Sequence, residues 1–115
     1  MTVISNSLWD FNGNGSTGKM SVNLVGPDGS MDVSVIFDGL ARHDRWTGVF
    51  DDSTKKVTLV RTLPGGAVQV HTGYLGDNDP SRLVFGGSFT ESDVPPGAPR
   101  QQYGWYAVYN SFVPG

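Results

Sequence analysis

Residues Gly13 to Met20 read GNGSTGKM, and the spacing G-x-x-x-x-G-K is that of a phosphate cradle, where backbone N–H groups hold the inner phosphates and a lysine reaches the outer ones. The chemistry fails at the next position. Met20 stands where a Ser or Thr hydroxyl would hold magnesium, and Met20, Val22 and Leu24 alternate with Lys19, Ser21 and Asn23. That period of two makes a strand where a phosphate loop needs the N-terminus of a helix. The segment reads as a glycine-rich turn between two strands. The same residues begin a calcium-loop pattern, since Asp10, Asn12, Asn14 and Gly15 form D-x-N-x-N-G, but its twelfth position, which requires a bidentate carboxylate, is Ser21. Such a cluster of oxygens would hold calcium only loosely, and no metal site is assigned.

Among residues able to do other chemistry, His71 lies in VQVHTGYL beside Gln69, where it would anchor a ligand or act as a base. The plainer expectation is a solvent-facing strand residue, because nothing near it in sequence supplies a nucleophile or an orienting acid. His43 sits in the charged stretch ARHDRW, and two histidines in such different settings make no metal site. Arg61 shares a face with Val57, Leu59 and Leu63, so its guanidinium is directed to an apolar side, where an unpaired charge is costly. It should meet a carboxylate such as Asp32 or Asp38, pack over a tryptophan at the closed end of a barrel, or await an anionic ligand. A one-residue slip in register would send it to solvent. Trp46, Tyr74, Trp105, Tyr106 and Tyr109 offer flat surfaces with polar tips, suited to stacking on sugars or lining an apolar cup, although at least half of them should be core. The carboxylates fall mostly in turns, at residues 51–52, 76–79 and 91–93, and form no visible acid–base pair, so no catalytic residue is named.

The elements that must position these side chains are strands. The chain has 115 residues, sixteen glycines, no cysteine and a net charge of −3. One domain with its own core is expected, without disulfides or thiolate metal sites. Scattered basic residues lack the electrostatic footprint of a nucleic-acid partner, and no stretch approaches membrane-spanning length. The opening MTVISNSLWDF lacks a basic region followed by an apolar run, which points to the cytoplasm unless the chain is a processed, secreted form. Turn signals separate eight strand candidates at residues 5–11, 19–25, 31–37, 46–51, 57–63, 68–75, 82–89 and 103–112. Only the connection ESDVPPGAPRQQ is long. The fold class expected is all-β: an antiparallel eight-stranded up-and-down β-barrel, which removes its edges by closing, with a two-sheet sandwich as the alternative. YGWYAVY is aromatic on both faces, which predicts a homo-oligomer assembled through the last strand.

Trp9 followed by Asn12, Gly15 and Ser16 is similar to the W-x-N-x-x-G-S opening of the avidins and streptavidins, GPDGSM looks like the hairpin that follows it there, and VHTGYL resembles the avidin sixth strand. The resemblance implies an eight-stranded barrel with one open mouth. It would place Asn12 and Ser16 where avidins hydrogen-bond the ureido oxygen of biotin. The chain departs from that family at the biotin clamp: one residue too many separates Trp9 from Asn12, VSVIF lacks the tyrosine of the third strand, the seventh strand has no tryptophan, and YAVYNSFVPG lacks the late aspartate. What remains is the calycin idea of a small closed barrel, shared with the lipocalins, whose ligand is not biotin. The leading expectation is therefore a non-enzymatic, cofactor-free barrel holding a small molecule at its open end, with Asn12, Ser16, Gln69, His71 and Tyr74 near the mouth and Arg61 and Trp105 contributing. The alternative is a carbohydrate-binding or protein-interaction module (a lectin, or an inhibitor acting through the proline-rich loop 94–100) with a filled interior. A small barrel enzyme, a cyclase or isomerase working by shape, comes third.

Overall fold

The computed structural model describes residues 5–40, 43–79, 81–92 and 102–112. Eight strands run in chain order: β1 (Ser7–Gly13), β2 (Ser16–Val25), β3 (Ser30–Phe37), β4 (Asp44–Asp51), β5 (Lys56–Thr62), β6 (Val68–Gly76), β7 (Val84–Glu91) and β8 (Gln102–Phe112). Each pairs antiparallel with the next, and β8 pairs with β1, so the sheet closes into an up-and-down barrel and the sandwich is excluded. Several bounds differ from those read in the sequence. Most of GNGSTG is strand, because the reversal is made by Asn14 and Gly15 alone, at φ of 51° and 92°. Positive φ at both central residues of a two-residue hairpin matches the right-handed twist of the flanking strands, and Asn-Gly is the pair that adopts it most readily. Neither phosphate loop nor calcium loop exists here. Asp10 is engaged by Lys19 and by Asn110, and no group of three or more His, Cys, Asp or Glu side chains gathers among the described residues.

At the end of the barrel away from the β1–β2 hairpin, three turns share one device. Asp28, Asp51 and Asp79 each accept hydrogen bonds at Oδ1 from the backbone N–H (3.0–3.1 Å) and the hydroxyl (2.7 Å) of the serine two residues on, Ser30, Ser53 and Ser81. The aspartate thereby supplies the acceptor that a regular turn takes from the backbone. Their carboxyls are held below the ordinary range by those hydrogen bonds, the serine hydroxyl first.

Inward residues alternate along every strand and fill this closed end. Trp9 packs on Phe85 at 4.7 Å and edge-on to Tyr109 at 5.5 Å, with Phe50 against Phe85, and Met20, Val22, Val33, Val35, Val57 and Leu59 complete a fully buried tier. The Trp9 indole donates to Ser7 Oγ at 2.9 Å, and the Trp105 indole donates to Thr72 O at 3.1 Å, so neither ring leaves its N–H unsatisfied. Gly73 and Gly87 pair across β6 and β7, and the bare Gly73 leaves room for the Trp105 ring, 3.1 Å from where its Cβ would stand. A Cβ on Gly87 would run into Thr72 O, and one on Gly73 into Gly86 O.

Candidate functional site: the barrel mouth

Above the filled tier the interior opens into a cavity of about 640 Å³ at the end carrying the β1–β2, β3–β4, β5–β6 and β7–β8 connections. Its buried residues are Phe11, Gly13, His71 and Phe89, and around them stand Ser16, Thr17, Phe37, Asp38, Arg61, Gln69, Glu91 and Tyr103. Of the polar members, Arg61, Gln69 and Glu91 arise because the inward alternation of β5 to β7 continues past the apolar tier as each strand reaches the mouth, and on β4 the same alternation leads from Trp46 to Asp44.

These four form one chain across neighbouring strands. Arg61 Nη2 lies 2.6 Å from Asp44 Oδ2, Arg61 Nη1 donates to Gln69 Oε1 at 3.2 Å, and Gln69 Nε2 donates to Glu91 Oε1 at 3.1 Å. The register makes this possible, since Arg61, Gln69 and Glu91 are direct cross-strand partners. Arg61 therefore points inward, as its strand pattern suggested, but its carboxylate is Asp44. Asp32 pairs with Arg45 at 3.1 Å, and Asp38 accepts from the Thr17 hydroxyl at 2.5 Å. Nor does Arg61 cap the closed end. It sits at the mouth with its guanidinium 4.8 Å from the Phe37 ring centroid and 5.9 Å from that of Trp46, where cation–π attraction adds to the ion pair.

His71 is 2 % exposed, which corrects the expectation of a solvent-facing strand residue. Its imidazole lies between Phe89, stacked at 4.4 Å, and Trp46 at 4.6 Å, with Trp105 edge-on at 5.7 Å. Burial pushes its pKa down to about 4, and the positive charge of Arg61 pushes the same way, so the ring is neutral at pH 7. Two buried polar atoms in this pair of rings have no hydrogen-bond partner among the described residues, His71 Nδ1 and Trp46 Nε1. Each such atom costs about 1–3 kcal/mol relative to a satisfied one.

Of the seven residues singled out in the sequence, Ser16, Arg61, Gln69 and His71 line the cavity. Trp105 supports it from below. Asn12 and Tyr74 do not reach it. Asn12 lies on the outward side of β1, where its Oδ1 accepts from Gly15 N–H at 2.8 Å to fix the hairpin and its amide donates to the Tyr106 hydroxyl at 3.5 Å. The position that the avidin resemblance implied for it is thus not the one it occupies. Tyr74 projects outward from β6 and is 59 % exposed. Phe37, Phe89 and Glu91 went unremarked as site residues. Phe37 shows itself as the mouth end of the alternating run Met31, Val33, Val35, and Phe89 and Glu91 continue the alternation Phe85, Gly87 on β7. The proline-rich segment 94–100 lies outside the described residues. No protein-family model, curated protein or solved structure matches this chain.

Proposed function

We propose that this chain is a non-enzymatic binding protein that holds a small, flat, uncharged molecule in the barrel mouth. The observation that carries the reading is the buried imidazole of His71, neutral at pH 7, which lines the cavity and whose Nδ1 has no partner among the described residues; the Trp46 ring, its N–H likewise without an acceptor there, packs against it. Buried polar atoms without partners are rare in folded proteins, and beside a cavity the group that completes them is a ligand or a water it displaces. Phe11, Phe37 and Phe89 favour a ring, and a hydroxyl, amide or ring N–H edge matches the unpartnered atoms.

Binding is favoured over catalysis because His71, the imidazole that lines the cavity, is held at a pKa of about 4 by burial and by the charge of Arg61 and is a weak proton acceptor. A general base works best with a pKa near the working pH. The avidin-like resemblance enters as an analogy of fold alone, and biotin is not the proposed ligand. The test is native mass spectrometry of the protein purified from its own source, compared with its denatured mass. A released small molecule is expected, absent from His71→Phe prepared in the same way. A clean apo mass for the wild-type protein would remove the reading.

A further inference from the structure

The outer wall of the barrel carries a second arrangement, unconnected with the mouth chain. Tyr74 of β6, Gly86 of β7 and Tyr106 of β8 are cross-strand partners in a single row. Both tyrosines are exposed, at 59 % and 49 %, and between them the sheet has no side chain. Neighbouring strands lie about 4.8 Å apart, so the two tyrosine backbones stand about 10 Å from one another across a bare strand.

Nothing in the fold requires that bareness. A Cβ on Gly86 would meet nothing closer than Trp105 O at 3.9 Å, and one on Gly104, in the adjacent row, would meet nothing within 4 Å. Neither residue has a positive φ. Glycine weakens a strand relative to residues with side chains, so a glycine that neither packing nor conformation demands marks a place where something else approaches the backbone. Gly87, next along the chain, is the contrasting case, since a Cβ there collides with the backbone of β6.

We propose that this row is a binding slot for one sugar ring of a neutral glycan, walled by Tyr74 and Tyr106 and floored by Gly86. The surroundings have the matching chemistry. Thr72, Ser88 and Gly104 form the adjacent row, Gln102 Nε2 donates to Ser88 Oγ at 2.7 Å, and Asn12 donates to the Tyr106 hydroxyl. These are uncharged hydroxyl and amide groups beside aromatic faces, the combination that receives a ring with an apolar face and hydroxyls on its rim. The charged residue in the row is Lys56, beyond Tyr74, and Asp10 nearby is occupied by Lys19 and Asn110.

The experiment is isothermal titration of the purified chain with five neutral hexasaccharides, those of cellulose, chitin, mannan, laminarin and xylan, alongside sedimentation velocity. Saturable binding to at least one is expected, weakened at least tenfold by Tyr74→Ala and by Tyr106→Ala and abolished by Gly86→Leu. The leucine fills the slot at a position where the backbone accepts a side chain, and circular dichroism of that variant should match the parent. The proposal is overturned if no hexasaccharide binds at millimolar concentration, or if all three variants bind as the parent does. It is equally overturned if the parent sediments as a dimer that Gly86→Leu dissociates, which would make this face the contact between two copies of the chain.

Discussion

Burial holds the His71 imidazole neutral in the folded chain, and that couples stability to pH. Its pKa falls from the ordinary 6.5 to about 4, so between those values the unfolded chain takes up a proton that the folded chain refuses. The contribution is complete above pH 6.5 and is lost as pH falls through 4, a loss on the order of 3 kcal/mol at 1.36 kcal/mol per unit. Urea unfolding from pH 7.5 to 4 should show that decline, and His71→Phe should remove its slope. The same substitution keeps the stack between Phe89 and Trp46 while deleting the unpartnered nitrogen, so at pH 7 the variant should be as stable as the parent or more so, with mouth binding gone. If it unfolds instead, the imidazole is part of the core's own bonding and the ligand reading loses its support. Arg61 behaves in the opposite way. Arg61→Met removes the ion pair to Asp44 and the donor to Gln69 Oε1, and about 2 kcal/mol of stability should be lost in thermal unfolding. The direction of the Arg61 side chain was legible from Val57 and Leu59 on its strand, whereas its partner was not. Which carboxylate it meets depends on the register of β4 against β5, and strand patterns do not carry register.

At the scale of the strand, β7 sets two glycines side by side with opposite obligations. Gly87→Ala forces a methyl into Thr72 O, and the pair must part or the strand shift, so a loss of more than about 3 kcal/mol is expected, as for overpacking against rigid backbone. Gly86→Ala should leave the melting temperature unchanged or raise it slightly, because an added Cβ meets nothing and strand propensity improves. Differential scanning calorimetry of both variants decides the point, and equal effects would contradict the different room found at the two glycines. In the sequence, GG at 86–87 reads only as a weak spot in a strand. Its two meanings separate once β6 and β8 are laid against it. Strand existence was far more legible, since eight alternating runs with turn chemistry between them give eight strands. The ends were less so: β2 starts at Ser16, because a two-residue Asn-Gly turn leaves flanking polar residues in the ladder, and β7 runs on to Glu91, where it still pairs with Gln69. That shift of two residues is why Glu91 was missing from the anticipated site.

For the molecule as a whole, the pairing of β8 with β1 is what leaves the sheet without an edge. Deleting residues 102–115 should open two edges at once, on β1 and β7, and strip Trp105 and Ala107 from the core. More insoluble or thioflavin-positive material is expected than from the intact chain under the same conditions. Barrel closure was legible from the count of strands and the shortness of their connections, while the depth to which the interior is filled was not. That depth depends on which aromatic rings meet across the axis. The expectation of self-association through the last strand rested on aromatics facing both ways. With Trp105 and Ala107 inside, the outward part of that argument rests on Tyr106 and Val108. The three Asp–Ser turns lie at one end of the barrel, and the connections at the mouth contain no such pair. The two ends thus differ in what a replacement loop must supply: Asp-x-Ser at the closed end, and no such pair at the mouth.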